Sequence, residues 1–351
     1  MKIQKKIISV SWPFITALLV FISLKIAVRH PGLIETYYSR GLYPFIARCF
    51  SSVSRLYPFS LWDVFWIMIL WLVLSGIILI LFKKMNFGKF ILRIFQTLAI
   101  LYSVFYIAWG YNYFRPGIEK RIGWIKPDSD TNLFRSVLDT LIAESNSNYV
   151  SISLSEYPRI DTLIEESYKK NCSKLKISYP NGSRRPKTMI LSSIYSKLGV
   201  SGYFGPFFNE IHVDSYVLPV DYPFLLGHEK AHQFGITSEA EANLSSYIIC
   251  VTSGDRRLRY SGYQTLLLYF LRDASHMKDY HDFLNKLDAR VLADIRFRQK
   301  YYQRLESNFL SDLQSKANDT YLKVNHIEKG VMNYNQVVSL VLSWYYNSKN
   351  Y

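Results

Sequence analysis

Three long apolar runs open the chain, and no run of that length follows them. The first, from about Ile7 to Val28, comes after Lys2, Lys5 and Lys6 and is interrupted only by Lys25. The second, LWDVFWIMILWLVLSGIILILF, covers Leu61 to Phe82, and the third about Phe90 to Tyr113. Each can cross a hydrocarbon core of about 30 Å, so each predicts a transmembrane helix. Trp62, Trp66, Trp109, Tyr111 and Tyr113 fall near the ends of these runs, where amphipathic rings prefer to lie. Asp63, close to the start of the second run, reads as a residue of the membrane boundary rather than an ion relay. The first run has the flanks of a signal peptide. It is too long for one, and no small-x-small cleavage site follows, so an uncleaved anchor is expected. Between the first two runs, from roughly Arg29 to Ser60, the pattern predicts a polar, aromatic loop.

Beyond Arg115 the periodicity changes. Phe134, Val137, Leu138, Leu141 and Ile142 recur at helical spacing and predict a helix over Thr131–Glu144. A short helix is expected over Leu163–Lys170. KLKISYPNGSRRPKTMIL, from Lys174 to Leu191, reads as strand, Pro-Asn-Gly turn and strand. GVSGYFGPFFNEIHVD is broken by Gly and Pro, then alternates, which suggests an edge strand over Phe207–Val213. From Phe224 onward helices dominate, including a long one from about Tyr280 to Leu313 and a last one in NYNQVVSLVLSWYY. The expected fold is α+β and mainly helical. A membrane anchor over residues 1–114 precedes a domain over residues 115–351 with a small β-sheet.

Charge adds an orientation. The amino terminus carries three lysines in six residues, and the tight segment Lys83 to Arg93 has four basic residues and no acid. Both are expected on the cytoplasmic side, which puts everything after Arg115 outside the cytoplasm. The net charge of +15 would suit nucleic acid, but the basic residues are dispersed and no nucleic-acid-binding signature accompanies them. Attraction to anionic lipid or envelope polymers is the simpler account, so the lipid bilayer is an expected partner and nucleic acid is not. Cys49, Cys172 and Cys250 have no close pair and fit neither a disulfide framework nor a cysteine zinc site.

The chemistry concentrates in GHEKAHQFGITSEAEAN, Gly227 to Asn243. Asp221 is a plausible N-cap and Pro223 suits a first helical turn, while Gly235 suits the left-handed residue that ends a helix. His228 and His232, four apart, then share one helix face and can grip one ion. Glu229, one residue round, can address a water on that ion. Ser238 and Glu241 form a capping-box pattern that starts a second helix. Glu239 is left as the candidate third ligand, with Asn243 four residues on and on the same face, able to hydrogen-bond a ligating imidazole or carboxylate. Two histidines, a glutamate and a water make the open coordination of catalytic Zn2+. Tyr247, Tyr321 and Tyr334 are candidates for stabilising an oxyanion. His212, His276, His281 and His326 lack partners at ligand spacing and read as structural or exposed.

HEKAHQFG followed by EAEAN resembles the gluzincin type of zincin metallopeptidase. That resemblance implies His228, His232 and Glu239 as zinc ligands, Glu229 as general base, and Asn243 as outer support where aspartate is more usual. The gap from His232 to the glutamate is shorter than in the well-studied families, so Glu239 and Glu241 compete for the third place. The whole chain also resembles a family of bacterial membrane proteins known as a domain of unknown function, through YPFSLWD, SGYFGPFFNE, the histidine motif, YLKVN and GVMNYNQVV. That likeness implies a membrane-anchored, zincin-like fold and no substrate. The expected protein is a zinc-dependent endopeptidase of the bacterial inner membrane, cutting envelope proteins or peptides outside the cytoplasm. A catalytically silent zincin-like sensor or scaffold is the alternative. An intramembrane protease is excluded, because the flanks of the motif are too short and polar to span.

Overall fold

A computed structural model describes residues 2–127, 130–182, 184–325 and 336–348. Within them the protein is mainly helical, with one small sheet of three strands. The chain divides into two compact units. The first comprises Met1–Arg115 with Pro180–Arg184 and Gly205–Glu210; the second comprises Pro116–Tyr179, Arg185–Phe204 and Ile211–Tyr351.

The first unit holds α1 (Lys2–Arg29), α2 (Pro31–Leu33), a π-helical stretch (Ile34–Leu42), α3 (Tyr43–Ser54), α4 (Leu61–Leu81) and α5 (Phe87–Ala108). Three stretches are long and apolar enough to cross a membrane: Ser11–Arg29, Leu61–Leu81 and Phe87–Ala108. The third starts earlier than the apolar pattern suggests, because Asn86 caps it by accepting from Gly88 N at 2.8 Å. It also ends earlier: Trp109 leaves the helical region and a 3-10 turn runs over Gly110–Phe114. The expected loop from Arg29 to Ser60 is instead largely helical. Its inner face is Tyr38, Tyr43, Ala47, Ser51 and Ser54, small or polar residues that a hydrophobic pattern does not count. The amino end of α4 is heavily capped. Ser60 accepts from Asp63 N, and the buried carboxylate of Glu210 accepts from Ser54 Oγ (2.7 Å), Leu61 N (3.2 Å) and Trp62 N (3.0 Å). A carboxylate there satisfies orphan N–H groups and faces the positive end of the helix dipole.

The second unit contains α6 (Ile118–Ile122), α7 (Thr131–Asn148), α8 (Tyr157–Asn171), α9 (Ser192–Lys197), α10 (Tyr222–Gln233), α11 (Glu239–Val251), α12 (Arg256–Ala274), α13 (Tyr280–Asn285), α14 (Ala289–Leu305), α15 (Asn308–Val324) and α16 (Gln336–Ser348). Its core is one cluster in which α11, buried from Ala240 to Cys250, is packed against α8, α10, α12 and α16. Val137, Leu138, Leu141 and Ile142 are buried on α7 as the periodicity indicates, and Phe134 stacks on Phe270.

The sheet departs from expectation. Its strands are β1 (Lys187–Thr188), β2 (Gly202–Gly205) and β3 (Glu210–Val213), in the order β1-β3-β2. Among the described residues of Lys174–Leu191 only β1 is a strand, and in place of the expected hairpin it pairs in parallel with β3 (Lys187 with His212, Thr188 with Val213). The Phe207–Val213 segment supplies the central strand, not an edge, because β3 is flanked on both sides; the edge beside it is β2. The long helix expected from Tyr280 to Leu313 is three helices. Asp288 caps α14 by accepting from Arg290 N, and Glu306 turns extended before α15.

Candidate metal centre

Two helices and the turn between them build the centre. Pro223 lies in the first turn of α10. Asp221 does not cap α10 with its side chain. Its carboxylate is drawn instead to Tyr302, whose hydroxyl donates at 2.8 Å, and to Arg298 Nε at 2.8 Å. Gly235, at φ +85°, turns the chain out of α10 at a conformation that would strain any side chain. Ser238 then caps α11 by accepting from Glu241 N.

This turn brings three acceptors together. His228 Nε2 lies 3.1 Å from His232 Nε2 and 3.2 Å from Glu239 Oε2, and His232 Nε2 lies 3.6 Å from Glu239 Oε2. Among the described residues, these three form a group that could hold a metal ion. Ligands 2.0–2.1 Å from a tetrahedral zinc ion are about 3.3 Å from one another, so the spacing matches one face of such a site.

The outer hydrogen bonds fix which way the imidazoles face. His232 Nδ1–H donates to the carbonyl of Ile236 at 2.7 Å, and His228 Nδ1–H donates to Asn243 Oδ1 at 2.9 Å. With both Nδ1 atoms carrying the proton, both Nε2 lone pairs point inward at one another and at a carboxylate. That is an unfavourable arrangement unless a proton or a cation lies among them, and histidine held from behind in this way is the usual posture of a metal ligand. The electrostatics of the three side chains point the same way. Burial opposes charge on His232, but Glu239, through its charge and its hydrogen bond, outweighs it and lifts the imidazole to about 9. Burial also opposes charge on Glu239, and the two imidazoles overcome it, holding its carboxyl well below the usual range.

Glu229 sits beside this group, 3 % exposed, with Oε2 buried and without a hydrogen-bond partner. Burial pushes its carboxyl up, partly offset by the two imidazoles. Strand β2 runs directly against it: a Cβ at Gly202 would stand 2.7 Å from Glu229 Oε1, so only glycine leaves room there. Sequence periodicity contains no hint of this contact, which joins residues 27 apart through the sheet.

Glu241 turns elsewhere. Its carboxylate accepts from Ile118 N at 2.9 Å and pairs with Arg121 at 2.8 Å, tying α11 to α6, and does not return to the N-cap as a capping box would. Tyr247 is buried with its hydroxyl against that of Tyr345 at 2.7 Å. The side chain of Tyr321, Tyr334 and His326 lie outside the described residues. His212 is buried and stacked on Tyr203, while His276 and His281 are exposed. Asp63 stands in the first turn of α4. Two residues of note were not apparent from sequence. Tyr269, on α12, lies within electrostatic reach of Glu239 and Asn243. Lys230, between the two histidines, is fully buried and paired with Asp161 (2.9 Å) and Glu165 (2.7 Å) of α8. The i, i+4 spacing of those two acids was the available clue to it.

The chain belongs to the DUF3810 family, described as a protein of unknown function, whose model matches residues 38–342. No curated protein and no solved structure matches it.

Proposed function

We propose that the protein is a membrane-anchored zinc metallopeptidase with a zincin-like, gluzincin-type site. His228, His232 and Glu239 are its zinc ligands, Glu229 its general base and Asn243 the support of His228. The observation that carries this reading is Glu229: a buried carboxylate with an unpartnered oxygen, next to three converging acceptors. A protein that only held an ion would gain nothing from it, because an unsatisfied buried polar group costs stability. A peptidase needs a base of raised pKa there.

Zinc bound by this donor set supplies Lewis acidity and makes a bound water more acidic. Glu229 accepts the proton of the attacking water and delivers it to the departing amine, so one proton enters and leaves the same carboxylate. β2 is a terminal strand of the sheet, and the absence of a side chain at Gly202 lets its backbone lie close to the base, where an extended peptide would be held. Tyr269 is the tyrosine we assign to the rim of the site, displacing Tyr247. With the lysine-rich ends of α1 and of the α4–α5 segment inside, the second unit lies outside the cytoplasm, in contact with peptides or proteins of the envelope.

Purified protein should contain about one zinc per chain. Glu229→Gln should keep the ion and lower peptide cleavage by about 10²–10⁴-fold, the range of general acid–base contributions. Retained turnover in Glu229→Gln would remove the base from the mechanism. Zinc retained in wild type with envelope peptides identical in wild-type and Glu229→Gln cells would instead favour the sensor or scaffold reading. A reporter fused to the carboxyl terminus and active in the cytoplasm would reverse the orientation.

A further inference from the structure

The helical segment between α1 and α4 carries two opposed faces. Its inner face steps through Tyr38, Tyr43, Ala47, Ser51 and Ser54, all buried. Its outer face steps through Leu33, Tyr37, Leu42, Phe45, Val53 and Leu56, with Cys49 in the same row, and Tyr37, Phe45 and Leu56 are 71 %, 65 % and 72 % exposed. Both rows advance by three or four residues per turn except once: the steps from Tyr38 to Tyr43 and from Tyr37 to Leu42 are five. Both fall within the π-helical stretch, where the Tyr43 N–H reaches back to Tyr38 O and the turn is wider. The insertion therefore keeps a single apolar stripe in phase over the whole segment.

A row of arginines runs alongside. Arg40, Arg48 and Arg55 are exposed and about two turns apart, and Arg40 and Arg48 each follow a stripe residue, Tyr37 and Phe45, by three. None of the three pairs with a carboxylate among the described residues. Glu35 is the one acid in the segment, and it is held by Arg115 at 2.8 and 3.0 Å. The segment begins where one candidate span ends, at Arg29, and finishes where the next begins, at Leu61. Both its ends are thus anchored at the same membrane face, whichever way the spans cross.

We infer that Leu33–Leu56 is an interfacial helix that lies in the headgroup layer of an anionic phospholipid bilayer, its apolar stripe in the acyl boundary and Arg40, Arg48 and Arg55 on lipid phosphates. An exposed stripe of this length in water would be an association hazard; at a bilayer it is buried. Arginine can lay its stem along the apolar face and extend its charge to the phosphates, and each such cation near an anionic surface is attracted to it. This inference does not depend on the metal site.

Cys49 provides the probe. In full-length Cys172→Ser protein it is the accessible thiol, since Cys250 is fully buried and its thiol is pushed up to about 12 by burial. A nitroxide on Cys49 is compared, in lipid nanodiscs, with one on the exposed position 132 of α7 in a Cys49→Ser, Cys172→Ser, Asn132→Cys chain. At Cys49, collisions with dissolved oxygen should exceed those with a water-soluble nickel chelate, and the chelate should reach it several-fold less often than position 132. Equal chelate access at the two positions would overturn the inference. Replacing half of a phosphatidylcholine bilayer by phosphatidylglycerol should protect Cys49 further. That gain should vanish in Arg40→Gln, Arg48→Gln, Arg55→Gln protein, and also in unsubstituted protein at high salt. Protection that is the same in neutral and anionic bilayers would overturn the assignment of the arginines.

Discussion

Lys230 and its two histidine neighbours leave the same helix in different directions, and both sides of α10 end in buried charge. On the α8 side, one ammonium meets two carboxylates, Asp161 and Glu165, and every partner is of opposite sign. On the α11 side, His228, His232 and Glu239 turn acceptors toward one another, while Glu229 keeps an oxygen without a partner. The first cluster already holds its cation, an ammonium between two carboxylates, with Asp161 Oδ1 in ion-pair contact and without a hydrogen bond. The second is incomplete in charge and in hydrogen bonding, and a divalent cation with its water would complete both. A buried polar cluster is therefore informative less by its existence than by what remains unsatisfied within it.

The widest separation between the two faces should come from deleting one member of each. His232→Ala should abolish zinc binding, read by metal analysis, and lower stability less than a change on the α8 side, because Glu239 keeps His228 at 3.2 Å. Lys230→Met should do the reverse. It leaves Asp161 and Glu165 without their cation in a largely dry site, and breaking such a buried pair costs about 3–5 kcal/mol. The measurement is the denaturation midpoint of the second unit's helical signal together with zinc content. Equal loss of stability in both variants would mean that the two clusters serve the same structural purpose.

Titration should show the next largest difference. In zinc-free protein the His232 imidazole is raised to about 9, above the ~6.5 of an unfolded chain. Its protonated form thus stabilises the fold fully below about pH 6.5, and that contribution is lost as pH rises toward 9. Thermal stability of the zinc-free protein should fall across that window. The zinc-loaded protein should not follow it, since the cation takes the place of the proton and binding releases protons. Lys230→Met should leave this pH dependence in place at lower overall stability. A zinc-free protein with a flat profile between pH 6.5 and 9 would contradict the closeness of Glu239 to His232.

Local patterns made some of this legible and not the rest. The apolar spacing of α7 and the three long apolar runs read directly as helices. So did the spacing of His228 with His232 on α10 and the return of Glu239 at the start of α11 after Gly235. The helix over residues 31–54 did not, because its buried face is built of Tyr, Ala and Ser and its exposed face is the apolar one. Hydrophobic periodicity presumes the opposite. The central place of β3 was hidden for another reason: its parallel partner β1 is a two-residue strand more than twenty residues away. Asp221 carries a good capping signal, but Arg298 and Tyr302 compete for its carboxylate from α14, and that tertiary contact wins. Glu241 is likewise claimed by Arg121 and Ile118. In each case a long-range partner overrode a local preference.

The smallest expected effect, and the finest test of the contrast between the two faces, lies one shell out at Asn243. Its Oδ1 holds His228 from behind at 2.9 Å, so Asn243→Ala should weaken zinc binding about 10–100-fold without emptying the site. Asn243→Asp replaces a neutral acceptor by a charged one. Charge-assisted bonds are stronger, and the imidazole they hold is a better donor to a metal, so this variant should bind zinc more tightly than wild type. In the zinc-free state the same substitution adds a negative charge beside Glu239 and Glu229, so it should lower the stability of the empty protein. The opposing shifts would be measured by zinc titration and by melting with and without the ion. A cluster that already holds its cation, as the Lys230 side does, could not gain ligand affinity while losing stability. If Asn243→Asp moved both quantities in the same direction, the two faces of α10 would not differ in the way proposed.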